Sequence, residues 1–211
     1  MPTPEQLARQ DIDRLLEASG WVVQDRAQLN PSASLGVAVR EFSVNAGAAD
    51  YLLIVAGKAA GVVEAKPAGT TLSGVAEQSA KYTTGLPDFM QTWGDPLPFA
   101  YESNGVETLF RDVRDPNARS RRVYTFHRPE QLQEWAQQPD TLRARLRQLP
   151  ELPTACLRAC QVEAVTGLER SFAQGHPRAL IQMATGSGKT YAAITAVYRL
   201  IKFGHASIGG C

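Results

Sequence analysis

Apolar positions follow a helical stripe at the start of the chain and then change to a period of two. In PEQLARQDIDRLLEASG, Leu7, Ile12, Leu15 and Leu16 recur at helical spacing. Thr3 suits a cap, Pro4 a first helical position and Gly20 a stop, which predicts a helix over about 4–19. VAVREFSV (37–44) alternates as a strand does. ADYLLIVAG (49–57) is nearly all apolar, the pattern of a central strand covered on both faces. AAGVVEAK (59–66) is a third strand, reached through a turn at Gly57-Lys58. Pro67 closes it, because proline cannot donate to a ladder. Thr70, Thr71 or Ser73 caps a helix through GVAEQSAKYTTG that ends near Gly85. PFAYES (98–103) and VETLFRDV (106–113) form a hairpin about Asn104-Gly105, followed by an arginine-rich loop and VYTFH (123–127).

The pattern then shifts. Residues 1–128 read as one α/β domain, and 129–153, bracketed by prolines and rich in Gln, Arg and Leu, as a helical connector. Residues 154–211 read as a helix to about 173, a strand RALIQMA (178–184), the loop TGSGKT and a helix YAAITAVYRLIKFG. One strand cannot make a sheet. This last part is therefore expected to be the incomplete start of a larger domain, in a truncated gene product or a fragment.

Composition changes this picture little. The formal net charge of +1 gives no bulk reason to bind nucleic acid, so any such surface must be local. Three cysteines point to a reducing compartment. Cys156 and Cys160 are four apart, and two small core residues on one helix face are preferred over a zinc site. No apolar run approaches the ~20 residues of a membrane span, so a soluble, cytoplasmic protein is expected.

Two constellations carry chemistry. Asp50 opens one strand, and Glu64 and Lys66 lie fourteen and sixteen positions later at the end of the next. Being two apart, Glu64 and Lys66 share a strand face, and a hairpin can bring Asp50 beside them. Two carboxylates can hold Mg²⁺, and an adjacent lysine can orient water or meet developing negative charge. The plainer reading is a solvated ion pair. With EQSAKY on the next helix, where Gln78 and Tyr82 share a face, the stretch resembles the PD-(D/E)xK nuclease domain of type I restriction endonuclease R subunits. The resemblance implies a restriction-endonuclease-like mixed sheet flanked by helices. It implies Asp50 and Glu64 as metal ligands and Lys66 as the catalytic lysine. Gln78 and Tyr82 would support the site or contact DNA backbone, and Glu41, in REF, would be an upstream acid joining it. Arg111, Arg114, Arg119, Arg121 and Arg122 are read equally as phosphate contacts and as a solvated loop neutralised by Asp112 and Asp115.

The second constellation is MATGSGKT (183–190), after an apolar stretch and before a helix. Backbone N–H groups of Thr185, Gly186, Ser187 and Gly188 can cradle phosphate, with Lys189 on the β and γ phosphates and Thr190 on Mg²⁺. The loop resembles that of superfamily 2 helicases and translocases, which implies a truncated RecA-like segment and makes Gln161, in LRACQVEAV, an adenine reader. No acidic Walker B run is present, so the ATP site is incomplete. Together the resemblances imply partners: double-stranded DNA and the methyltransferase and specificity subunits of a type I complex, in a bacterial or archaeal cytoplasm. A non-enzymatic docking fragment is the alternative.

Overall fold

The computed structural model describes residues 3–44, 47–72, 86, 90–176 and 178–206. Helix α1 (Pro4–Ala18) is closed at its start by a reciprocal pair: the Thr3 hydroxyl accepts from the Gln6 N–H at 3.2 Å, and the Gln6 side chain accepts from the Thr3 N–H at 2.8 Å. Its buried stripe is Ala8, Ile12 and Leu16, whereas Leu7 is exposed. The stripe is thus a clean i, i+4 row, shifted one residue from the expected one at its start.

Seven strands follow: β1 (Val22–Asp25), β2 (Gly36–Val44), β3 (Gly47–Val55), β4 (Lys58–Ala65), β5 (Phe99–Ser103), β6 (Thr108–Asp112) and β7 (Arg121–Val123). They form one mixed sheet in sequential order. β1 with β2 and β4 with β5 are parallel; the other neighbours are antiparallel. A parallel pair needs a crossover of about a dozen residues or more, and the chain between Ala65 and Phe99 supplies it. The helix expected there, with Gln78 and Tyr82, lies outside the described residues. The β3–β4 turn is at Ala56-Gly57, one residue earlier than expected, with Gly57 at φ 76°. The β5–β6 link is longer than a two-residue turn: the Asn104 carboxamide accepts from the Val106 and Glu107 N–H groups and closes the loop itself.

Alternation sends two sets of side chains to opposite faces. Tyr51, Leu53, Val63, Phe99 and Tyr101 meet Ile12 and Leu16 of α1. Leu52, Ile54, Val62 and Ala100 join Val37 and Val39 on the other side. β3 is therefore covered on both faces, as its unbroken apolar run requires. Each fully buried Leu or Ile here contributes about 1.5–3 kcal/mol. Gly61 lets β4 approach β5 closely, because a Cβ there would run into the Phe99 carbonyl.

Helix α2 (Pro129–Gln137) corrects the expected connector. Leu132 is fully buried and Trp135 packs against the same cluster, so residues up to Pro139 fold with the first unit. A second unit comprises Asp115–Asn117 and Asp140–Cys211. It contains α3 (Leu142–Leu146), α4 (Ala159–Ala173) and α5 (Lys189–Lys202) around Leu152, Val165, Ala192 and Ala196. Three expectations fail here. Residues 178–184 are not a strand, and Leu180 is 94% exposed, because no neighbouring strand offers a ladder. Helix α4 starts at Ala159 rather than 154, so Cys156 lies before it and shares no helix face with Cys160. Both cysteines are exposed, not core residues.

His127 sits among aromatic rings, 4.5 Å from Phe110 and 4.9 Å from Trp135 between centroids, with Nδ1 2.7 Å from the Tyr101 hydroxyl. Burial, and then the charge of Arg121, hold its pKa down to about 4. Burial pushes the Tyr101 phenol up, so it stays protonated, and its hydroxyl can donate to Nδ1 in the Nε2–H tautomer of the neutral ring. An unfolded histidine titrates near ~6.5, so the folded value is the lower one. The contribution to stability is complete above about pH 6.5 and is lost as pH falls toward 4. We expect thermal unfolding followed by circular dichroism to lose on the order of 2 kcal/mol across that window. His127→Gln, which keeps an acceptor for Tyr101, should flatten the slope.

Candidate functional site

The register of the central strands makes the first site. Arg40 pairs with Tyr51 and Phe42 with Ala49, which leaves Glu41 opposite Asp50. Tyr51 pairs with Val63, so one step on Asp50 stands opposite Glu64. Glu64 pairs directly with Glu102 on β5. Glu41, Asp50, Glu64 and Glu102 thus form one row across β2–β5. Like charges facing across strands are destabilising, and two cations meet this row. Lys66 Nζ is 2.7 Å from Glu64 Oε1, with the two side chains only 19% and 13% exposed. The Lys66 N–H donates to the Ser103 carbonyl at 2.8 Å, which continues the β4–β5 ladder past Ala65 and fixes the lysine's position.

Arg9 of α1 is the second cation. Its guanidinium donates to Asp50 Oδ1 at 2.6 Å, Glu41 Oε1 at 2.8 Å and Glu5 Oε1 at 3.2 Å. Partial burial works against its charge, but Asp50 and Glu41 outweigh that and hold it protonated more firmly than an ordinary arginine. The other Asp50 oxygen, Oδ2, accepts from the Ala65 N–H at 2.8 Å. Glu41 itself has φ 51°, a costly setting for a residue with a Cβ. Glu64 Oε2 is buried with no hydrogen-bond partner. A hard cation is the chemical group that an orphaned carboxylate oxygen beside a second carboxylate accepts best. Among the described residues, no three His, Cys, Asp or Glu side chains gather around one point. The fit is therefore to an ion such as Mg²⁺, which keeps several waters and takes one or two carboxylates.

Asp50, Glu64, Lys66 and Glu41 are the sequence-read residues that this end of the sheet holds. Arg9 and Glu102, which is 2% exposed, escaped sequence reading. Neither carries a local signal: one needs the docking of α1, the other the parallel β4–β5 pairing. The arginine-rich loop divides. Arg114 forks onto Asp112, donates to the Trp135 carbonyl and stacks 5.2 Å from the Phe99 ring centroid. Arg122 pairs with Glu107 at 3.1 Å, and Asp115 pairs with Arg143 at 3.5 Å. Arg119 is exposed.

In the second unit, Gly186 and Gly188 both take positive φ, 79° and 83°, where a side chain is strained. Gly188 caps α5, and Lys189 Nζ folds back onto the carbonyls of Met183 and Ala184 at 3.1 and 3.0 Å. The Gln161 amide is spent on this loop. Its Oε1 accepts from the Arg158 N–H at 2.9 Å, and its Nε2 donates to the Ser187 and Gly188 carbonyls at 3.2 Å each. Arg158 adds a bond to the Gly186 carbonyl at 3.1 Å. Thr185 and Thr190 are exposed.

Comparison with known proteins adds a decisive observation. The family described as the second domain of the type I restriction enzyme EcoKI endonuclease subunit matches residues 22–136. The chain belongs to this type I restriction-enzyme family. The family of the res subunit of type III restriction enzymes also matches, over residues 155–208. The type I restriction enzyme EcoKI endonuclease subunit of Escherichia coli (strain K12) is 27% identical, over 94% of this chain and 21% of its own length. The chain thus spans about one fifth of that relative. A solved fragment described as an HsdR subunit of a type I restriction enzyme from Vibrio vulnificus YJ016 is 23% identical. It covers 94% of this chain and 38% of its own, with a TM-score of 0.47.

The 183–190 loop of this type I restriction-enzyme chain leaves no room for a side chain at Gly188. A Cβ on Gly188 would collide with Gln161 Nε2, and φ 83° disfavours it further. Gly188→Ala is expected to destabilise the second unit by about 1–3 kcal/mol, seen as a lower urea midpoint in the helical circular dichroism signal.

Proposed function

We propose that the chain carries the metal-dependent DNA-cleaving module of a type I restriction enzyme R subunit. The observation that carries this reading is the register that sets Asp50 of β3 opposite Glu64 near the end of β4, with Lys66 paired to Glu64 and Glu64 Oε2 buried without a hydrogen-bond partner. Family membership over residues 22–136 supports it, because that match spans all three residues. We read the sheet as a restriction-endonuclease-like core. Asp50 and Glu64 would hold Mg²⁺, which when bound supplies Lewis acidity and a more acidic water. Lys66, held against Glu64, would orient the attacking water and meet charge that develops on the phosphate. Glu41 would complete the acidic end, and Gln78 and Tyr82 would support the site or grip DNA backbone. The module would cut phosphodiester bonds without sequence preference of its own, since contacts to backbone carry no sequence information.

Residues 154–211 would be the start of a RecA-like motor, and the match to the type III res subunit family over 155–208 supports this. Thr185 to Thr190 would receive ATP phosphates, with Lys189 leaving its own loop carbonyls, and Gln161 would serve the nucleotide end of the site. In the intact subunit, ATP-driven translocation would be coupled to cleavage of double-stranded DNA, alongside methyltransferase and specificity subunits in the cytoplasm. No helix among the described residues is long and apolar enough to cross a membrane.

A second reading, an inactive fragment that only docks on DNA or partner subunits, gains from one observation: Arg9 occupies an oxygen of Asp50. Plasmid nicking with Mg²⁺ or Mn²⁺ separates the two. Lys66→Ala is expected to slow nicking on the order of 10²-fold, assayed well below the melting temperature of each chain, because loss of the Glu64 partner also lowers stability. Equal nicking by both chains would refute the catalytic reading.

A further inference from the structure

Arg9 belongs to none of the motifs read from the sequence, yet two of its three ion pairs are to acids of the proposed metal site. Both oxygens of Asp50 are engaged, Oδ2 by the Ala65 N–H and Oδ1 by Arg9. A divalent ion arriving at Oδ1 would face a full positive charge held 2.6 Å from that oxygen. At such separations two cations repel strongly unless water screens them. Asp50 Oδ1 can therefore serve the guanidinium or the metal, not both.

The base of the arginine is fixed, and its head lies between acids on α1, β2 and β3. Ala8 and Ile12 of the same helix are fully buried, and the Tyr51 hydroxyl shares its proton between Asp13 Oδ1 at 2.8 Å and the Arg9 carbonyl at 3.2 Å. The Arg9 side chain remains 32% exposed. Glu5, one helical turn earlier and 53% exposed, already accepts from the same nitrogen that holds Asp50. A seat for the displaced guanidinium is thus built into α1, away from the sheet.

We propose that Arg9 is a resident counter-ion of the site, which competes with the divalent cation for Asp50 and swings to Glu5 when the cation binds. This rests on the metal-site reading above. It makes cation affinity a property of α1 as well as of the acids: Arg9 seated on Asp50 opposes the metal, and its transfer to Glu5 admits it.

Mn²⁺ binding to the full chain, followed by loss of the free-ion paramagnetic resonance signal, tests this without any cleavage assay. Arg9→Gln is expected to bind Mn²⁺ roughly tenfold more tightly than the wild type, and Asp50→Asn to lose binding in either background. Binding that depends on Asp50 but is equal or weaker in Arg9→Gln overturns the counter-ion role alone. Absence of Asp50-dependent binding in both chains overturns the metal-site reading and the role of Arg9 with it. A measurement on the wild type guards against a variant that folds poorly: Mg²⁺ titration should shift the Arg9 Nε–H resonance with the same saturation as binding. A resonance that stays still at saturation refutes the proposal.

Discussion

Four acidic residues stand in register across β2, β3, β4 and β5, and the first unit must offset the charge of that row. Facing like charges oppose strand pairing, yet the same strands carry the core residues that register must keep inward. A slip of one residue would turn Leu52 and Ile54 to the wrong face, so the acids cannot be moved apart. Positive charge must come to them. Lys66 arrives from the same strand as Glu64, and Arg9 from α1. Ile12 and Leu16 dock α1 on one face of the sheet, and that docking delivers Arg9 to the acidic end.

The same economy of polar groups appears in the second unit. Its apolar cluster is small, and the loop at 183–190 is held instead by the Gln161 amide, Arg158 and the folded-back Lys189. A loop closed on its own carbonyls satisfies its backbone without a ligand. Lys189 is thereby committed to the Met183 and Ala184 carbonyls, while Thr185 and Thr190 stay exposed. In both units, a cationic side chain therefore occupies the polar groups of a candidate site, Arg9 in one and Lys189 in the other.

Much of the first unit is legible along the chain. Thr3, Pro4 and the apolar stripe define α1 because capping and helical periodicity are local. The strands at 36–65 were legible because alternation and turn residues act within a few positions. Glu64 and Lys66 could be placed on one face for the same reason. Tertiary structure decided what depends on distant chain. The parallel β4–β5 pairing put Glu102 beside Glu64, and the docking of α1 put Arg9 on Asp50. Trp135 carried α2 into the first unit, although its segment reads as a polar connector. RALIQMA has a strand's composition and no ladder, since a strand is defined by its neighbour's hydrogen bonds and not by its own side chains. Local preference is written along the chain. Counter-charge, pairing partner and burial are set only when remote segments meet.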